Sequence, residues 1–194
     1  MVKNIAIFAS GSGTNAENIA NYFRNKLGFS IKLIVTNKSD AFVIERAKRL
    51  NIDSAYISKQ DWNNQEQVIT LLDKYQIDFI VLAGFLLKIP KYLLDKYPGR
   101  IINIHPALLP KYGGKGMYGD KVHQAVVEAG EVESGITIHY CNEHYDEGNI
   151  IFQAKCQILP TDSYKDVAKK VHELEYIHFP NTIEKLLLDI NSKS

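Results

Sequence analysis

Short apolar runs alternate along this chain with stretches whose apolar residues recur at helical spacing, and that alternation limits the possible folds more than any other feature. Ile5 to Ala9, Ile31 to Thr36, Ser54 to Ser58, Phe79 to Phe85 and Arg100 to Ile104 read as strands. Between them Ile19, Tyr22 and Phe23 fall on one helical face. Ser39-Asp40 can cap a helix carrying Val43, Ile44, Ala47 and Leu50, and Asp61 a helix running through Tyr75. Strands apolar on both faces must be covered on both, which predicts an α/β fold with a doubly wound, mostly parallel sheet and right-handed crossovers. After a helix from about Asp120 to Ala129 the pattern changes. Gly135 to Cys141 and Ile150 to Ile158 alternate around the turn residues Asp146-Glu147-Gly148-Asn149, predicting an appended antiparallel pair. Asp162-Ser163 then opens a long C-terminal helix with Val167, Val171, Leu174, Ile177 and, past Pro180, Ile183, Leu186 and Leu187. At 194 residues a single domain, 1–194, is expected.

Lys plus Arg number 23 against 22 Asp plus Glu, so the net charge is only +1 and no nucleic-acid partner is expected. The longest apolar run, Phe79 to Leu87, is less than half of the ~20 residues a membrane-spanning helix needs, so no membrane partner is expected either. Met1 to Asn4 leads straight into the first strand without a secretory h-region, which points to a cytoplasmic chain. Cys141 and Cys156 are then expected as reduced, packed thiols.

Gly11-Ser12-Gly13-Thr14-Asn15-Ala16 follows a strand and opens a helix, where free backbone N–H groups and the helix dipole favour an anion. A dinucleotide would want an acidic residue at the tip of the second strand, and Thr36-Asn37-Lys38 stands there instead. A monophosphate held by Gly13, Thr14 and Asn15 is one reading; a tight turn that needs glycine for packing is the other. Asn103 and His105 alternate with Ile102 and Ile104, so they share one side of a strand end, where ligands bind in such sheets. They could equally be a satisfied polar pair. Thr137 and His139 share a face of a later strand, with Asp146 in the following turn, so amide, imidazole and carboxylate can converge. A metal site of His105, His139, His144 and Asp146 lacks HxxxH or ExxH spacing, and no metal is expected. His123, His172 and His178 lie on helices without such company and are expected at the solvated surface.

Several blocks carry a family likeness: Ser10 to Asn15, Val81-Leu82-Ala83-Gly84-Phe85, Asn103-Ile104-His105-Pro106-Ala107-Leu108-Leu109-Pro110-Lys111-Tyr112, Gly135 to His139, and Asp146-Glu147-Gly148 leading into Ile151 to Lys155. Through them the chain, from Asn4 to about Leu188, resembles the folate-dependent glycinamide ribonucleotide formyltransferases. The resemblance implies a Rossmann-like formyltransferase fold, glycinamide ribonucleotide and folate as small-molecule partners, 10-formyltetrahydrofolate as co-substrate without a metal, and a monomer or homodimer. It implies Asn103, His105 and Asp146 as the catalytic trio, Gly11, Ser12, Gly13, Thr14 and Asn15 on the phosphate, and Glu175 on the ribose. It also implies a folate pocket lined by Phe85, Leu86, Leu87, Lys88 and Ile89 and by Tyr140, Cys141, Asn142, Glu143, His144 and Tyr145. The chain departs from the family at Leu87, followed by Lys88, where arginine is frequent, and in a longer glycine-rich loop from Gly113 to Gly119.

The implied reaction is direct attack of the substrate amine on the formyl carbon, with the Asn103 amide and a protonated His105 stabilising the oxyanion. A histidine titrates near 6.5, and Asp146 would favour its charged form. Thr137 and His139 would support the trio. Methionyl-tRNA formyltransferases and formyltetrahydrofolate hydrolases share the trio but add a C-terminal nucleic-acid-binding domain and an N-terminal regulatory domain, respectively. Neither is expected in a chain of this length whose first strand begins at residue 4 or 5. A non-catalytic nucleotide-binding module, with the trio as polar core, is the alternative from another class.

Overall fold

The computed structural model describes residues 2–192. Its elements are β1 (Lys3–Phe8), α1 (Thr14–Phe23), β2 (Phe29–Thr36), α2 (Val43–Leu50), β3 (Asp53–Tyr56), α3 (Gln65–Lys74), β4 (Phe79–Leu82), α4 (Lys91–Lys96), β5 (Ile101–His105), α5 (Asp120–Glu128), β6 (Glu133–Tyr140), β7 (Ile150–Gln157) and α6 (Tyr164–Ser192). They build a seven-stranded sheet of order β3-β2-β1-β4-β5-β6-β7. β1 pairs parallel with β2 and β4, and β2 parallel with β3. β6 and β7 pair antiparallel, as the alternation predicts. The chain divides into two compact units, one through Ile102 and one from Asn103.

In the first unit Ile5 to Phe8 and all of β4 are buried, as strands covered on both faces must be. Phe8, Trp62 and Phe85 form an aromatic cluster with ring centroids 5.0 to 5.8 Å apart, and the Trp62 indole donates to the Lys88 carbonyl at 2.8 Å. Helix starts differ from expectation. α2 begins at Val43 with no side-chain cap, because Lys38 and Ala41 are already joined in a turn. Asp61 opens only a 3-10 turn, Asp61–Asn63, that tucks Trp62 into the core, and Asn64 caps α3 by accepting from the Gln67 N–H at 3.2 Å. β4 stops at Leu82, and Gly84 follows with φ +75°.

In the second unit the β6–β7 register slips between Ile138 and His139, and such irregularities re-aim side chains. Ser163 and Asp166 form a reciprocal cap for α6, the Ser163 N–H donating to the Asp166 carboxylate at 2.8 Å and the Asp166 N–H to the Ser163 hydroxyl at 3.3 Å. Helix α6 runs on through Pro180. Its buried stripe is Val167, Val171, Glu175, Phe179, Ile183 and Leu187, whereas Ile177 faces solvent. A carboxylate therefore sits in the middle of an apolar stripe.

Candidate active site

β5 ends in Asn103-Ile104-His105, and the pleat puts Asn103 and His105 on one side, as expected. Asp146 reaches both from the turn after β6. Its Oδ2 lies 3.5 Å from His105 Nδ1 and accepts the Gly114 N–H at 2.9 Å. Its Oδ1 accepts from the Asn103 amide at 3.4 Å and lies 3.5 Å from His139 Nε2. The Asn103 amide also meets His139 Nε2 at 3.1 Å. Asn103, His105, His139 and Asp146 thus form one contiguous cluster within the second unit.

Burial pushes the Asp146 carboxyl upward, but His139, His105 and the Gly114 N–H together outweigh it, so the group sits below the ordinary carboxylate range and is ionised. His105 behaves otherwise than the sequence suggests. It is 3% exposed, and the cost of charging a buried ring lowers its pKa despite the Asp146 charge and the Tyr112 carbonyl, so the resting site favours neutral imidazole. Its Nε2 lies 2.7 Å from the Tyr112 carbonyl oxygen, which can only accept; Nε2 carries the proton and Nδ1 faces Asp146.

Thr137 supports the site at one remove. Its buried hydroxyl donates to the Ala107 carbonyl at 2.7 Å and accepts from the Leu109 N–H at 3.0 Å and the Gln153 amide at 2.9 Å, fixing the segment that follows His105. Tyr112, Gly114 and Gln153 escape a reading of the sequence; Tyr112 and Gly114 meet His105 and Asp146 through backbone atoms, which no side-chain letter encodes. Gly148 is also required, since a Cβ there would lie 1.6 Å from the Tyr140 carbonyl oxygen.

Of the residues assigned to the ribose and folate, Glu175 is 4% exposed and bonds His172 Nδ1 at 2.8 Å. Asn142, Glu143, His144 and Tyr145 are exposed and Tyr140 half-buried. Burial and the nearby Asp146 charge push the Cys141 thiol well up, and burial also raises Cys156; both cysteines are free. In the first unit Phe85 and Ile89 are core residues, Leu86 and Leu87 are half-buried and Lys88 is exposed. The glycine loop is held by Ser10, whose hydroxyl donates to Asn37 Oδ1 and accepts from the Leu86 N–H at 2.9 Å. Gly13 has φ +75°, and a Cβ on it would meet Val43 Cγ2 at 2.3 Å, so packing alone demands glycine there; no side chain caps α1.

Three histidines expected at the surface have company. His123 is 2% exposed, buried with Val122 and Val126 on the inner face of α5, and its ring faces that of His172 at 6.4 Å. His172 is exposed, as expected, but pairs with Glu175, and the half-buried His178 lies against Phe152 at 4.8 Å. Among the described residues no group of three or more His, Cys, Asp or Glu side chains could hold a metal ion. None of their helices is long and apolar enough to cross a membrane.

A family model described as Formyl transferase matches residues 3–183. The chain belongs to the formyl transferase family. Among the relatives of this formyl transferase is the phosphoribosylglycinamide formyltransferase of Haemophilus influenzae, 35% identical over 94% of the chain and 86% of that protein. The chloroplastic phosphoribosylglycinamide formyltransferase of Arabidopsis thaliana is 41% identical over 88% of the chain, which spans 61% of that protein's length. The crystal structure of phosphoribosylglycinamide formyltransferase from Bacillus halodurans superposes with a TM-score of 0.86 at 37% identity, covering 95% of each chain.

Proposed function

We propose that this formyl transferase, acting as one domain over residues 1–194, moves the formyl group of 10-formyltetrahydrofolate to the amine of glycinamide ribonucleotide. The convergence of Asn103, His105 and Asp146 carries this reading. Direct attack of the amine places negative charge on the formyl oxygen and excess protons on the attacking nitrogen. The Asn103 amide hydrogen that makes the long 3.4 Å contact with Asp146 is the donor most easily redirected to that oxygen. Asp146, already ionised, draws a proton onto the neutral His105 at Nδ1, the position facing it, and steadies the imidazolium that forms. The ring then supplies a proton to the leaving nitrogen. Gly11 to Asn15 take the phosphate, Glu175 the ribose, and Phe85 to Ile89 with Tyr140 to Tyr145 the folate.

The test is an assay of the purified chain with 10-formyltetrahydrofolate and glycinamide ribonucleotide, following formyl transfer and free formate. Nucleotide-dependent transfer is expected. Formate release without the nucleotide would make the protein a hydrolase, and ligand binding without turnover would make it a binding module.

A further inference from the structure

Only four described residues other than glycine have positive φ. Asn51 and Gln76 close helices α2 and α3, whereas Tyr112 (φ +56°) and Asp146 (φ +58°) both touch the imidazole of His105. A bulky residue in that region needs the surrounding structure to hold it, and such residues gather at functional sites. What holds Tyr112 is its phenol, which donates to Glu131 Oε1 at 2.9 Å; Lys111 Nζ reaches the same oxygen at 2.7 Å. Glu131 is itself fixed by the end of α5. Gly130, at φ +68°, lets its own N–H bond the Val127 carbonyl at 3.0 Å and the Glu131 N–H bond the Val126 carbonyl at 3.3 Å. On the far side of the loop the Gly114 N–H is tied to Asp146.

We propose that Glu131 is a positioning residue for His105: by anchoring the Tyr112 phenol it keeps the Tyr112 carbonyl aimed at Nε2, which confines proton exchange to Nδ1 beside Asp146. For its catalytic consequence this rests on the trio assigned above. Were the carbonyl to swing away, either ring nitrogen could carry the proton, and the ring would lose the orientation its proton transfers need. The phenol bond does the anchoring. Lys111 is two-thirds exposed, and an ion pair so placed contributes little.

Nitrogen NMR of the full chain labelled with 15N-histidine at about pH 8, above the ordinary imidazole range, reads the tautomer directly, with His105→Ala used to assign the signal. The wild-type ring is expected as the Nε2-protonated form. Glu131→Ala and Tyr112→Phe are expected to average the two tautomers and to lower kcat about tenfold, as small misplacements of a catalytic group do, with KM for both substrates within about twofold. Glu131→Gln retains an oxygen for the phenol and is expected to preserve signal and rate, and Lys111→Met to stay within about twofold. A wild-type nitrogen pattern in Tyr112→Phe or in folded Glu131→Ala overturns the proposal whatever the turnover. So does a loss in Lys111→Met as large as in Glu131→Ala. A lost pattern with unchanged turnover supports the anchor and instead removes His105 from the reaction.

Discussion

Asp146 gathers the site's electrostatics, because its two oxygens face different imidazoles. Asn103→Ala is expected to lower kcat by roughly two to three powers of ten while the circular dichroism spectrum persists, the usual cost of losing a donor to a developing oxyanion, and His105→Ala, which removes the proton carrier, by a similar factor. Asp146→Asn should be comparable. Wild-type turnover in any folded variant removes that residue from the chemistry. Buried histidines also make stability depend on pH. His105 and His123 have pKa values lowered by burial, so below about pH 6.5 the unfolded chain takes up protons that the folded one refuses, and stability falls as pH falls. His172, raised by its bond to Glu175, acts oppositely: its contribution is present at low pH and is lost as pH rises through its folded value. With two groups against one, the urea midpoint is expected to drop from pH 8 to 5.5, and less in His123→Phe; a flat profile would contradict this. Asn103 and His105 were legible because strand alternation places polar residues among isoleucines. The sequence misplaces His123, because neighbours at helical spacing do not show which face another helix covers. Glu175 carries a signal of its own, a carboxylate at helical spacing between Val171 and Phe179 in the apolar stripe of α6.

At the scale of elements, backbone accounting matters more than side-chain identity. The Thr137 hydroxyl satisfies an N–H and a carbonyl between β5 and the Tyr112 loop, so Thr137→Val, similar in shape, leaves both groups buried and unpaired. It is expected to cost about 1–3 kcal/mol in urea denaturation. A cost under a few tenths would show that water replaces the hydroxyl. Strands and the antiparallel pair were readable to within a few residues because period and turn chemistry agree there. Helix starts were less so: Ser39, Asp40, Asp61 and Asn64 are all competent caps, and the packing of Trp62 selects among the last two.

Over the whole molecule, one probe separates the two readings of the glycine loop. Trp62 is the chain's only tryptophan and lies in the first unit's core, so its fluorescence follows that unit's unfolding. Ribose 5-phosphate at a hundred times its Kd would stabilise the state that binds it by about 2.7 kcal/mol and move the urea midpoint upward accordingly. An unmoved midpoint at saturating concentrations would leave Gly13 a packing residue alone, as its approach to Val43 already requires. Cysteine chemistry follows from the same burial that shapes the site. Thiol-modifying reagents are attacked by the thiolate, and Cys141 and Cys156, the chain's two cysteines, both resist forming it. Maleimides and iodoacetamide should therefore label the native protein slowly and leave its activity intact, and storage in air without reductant should be harmless.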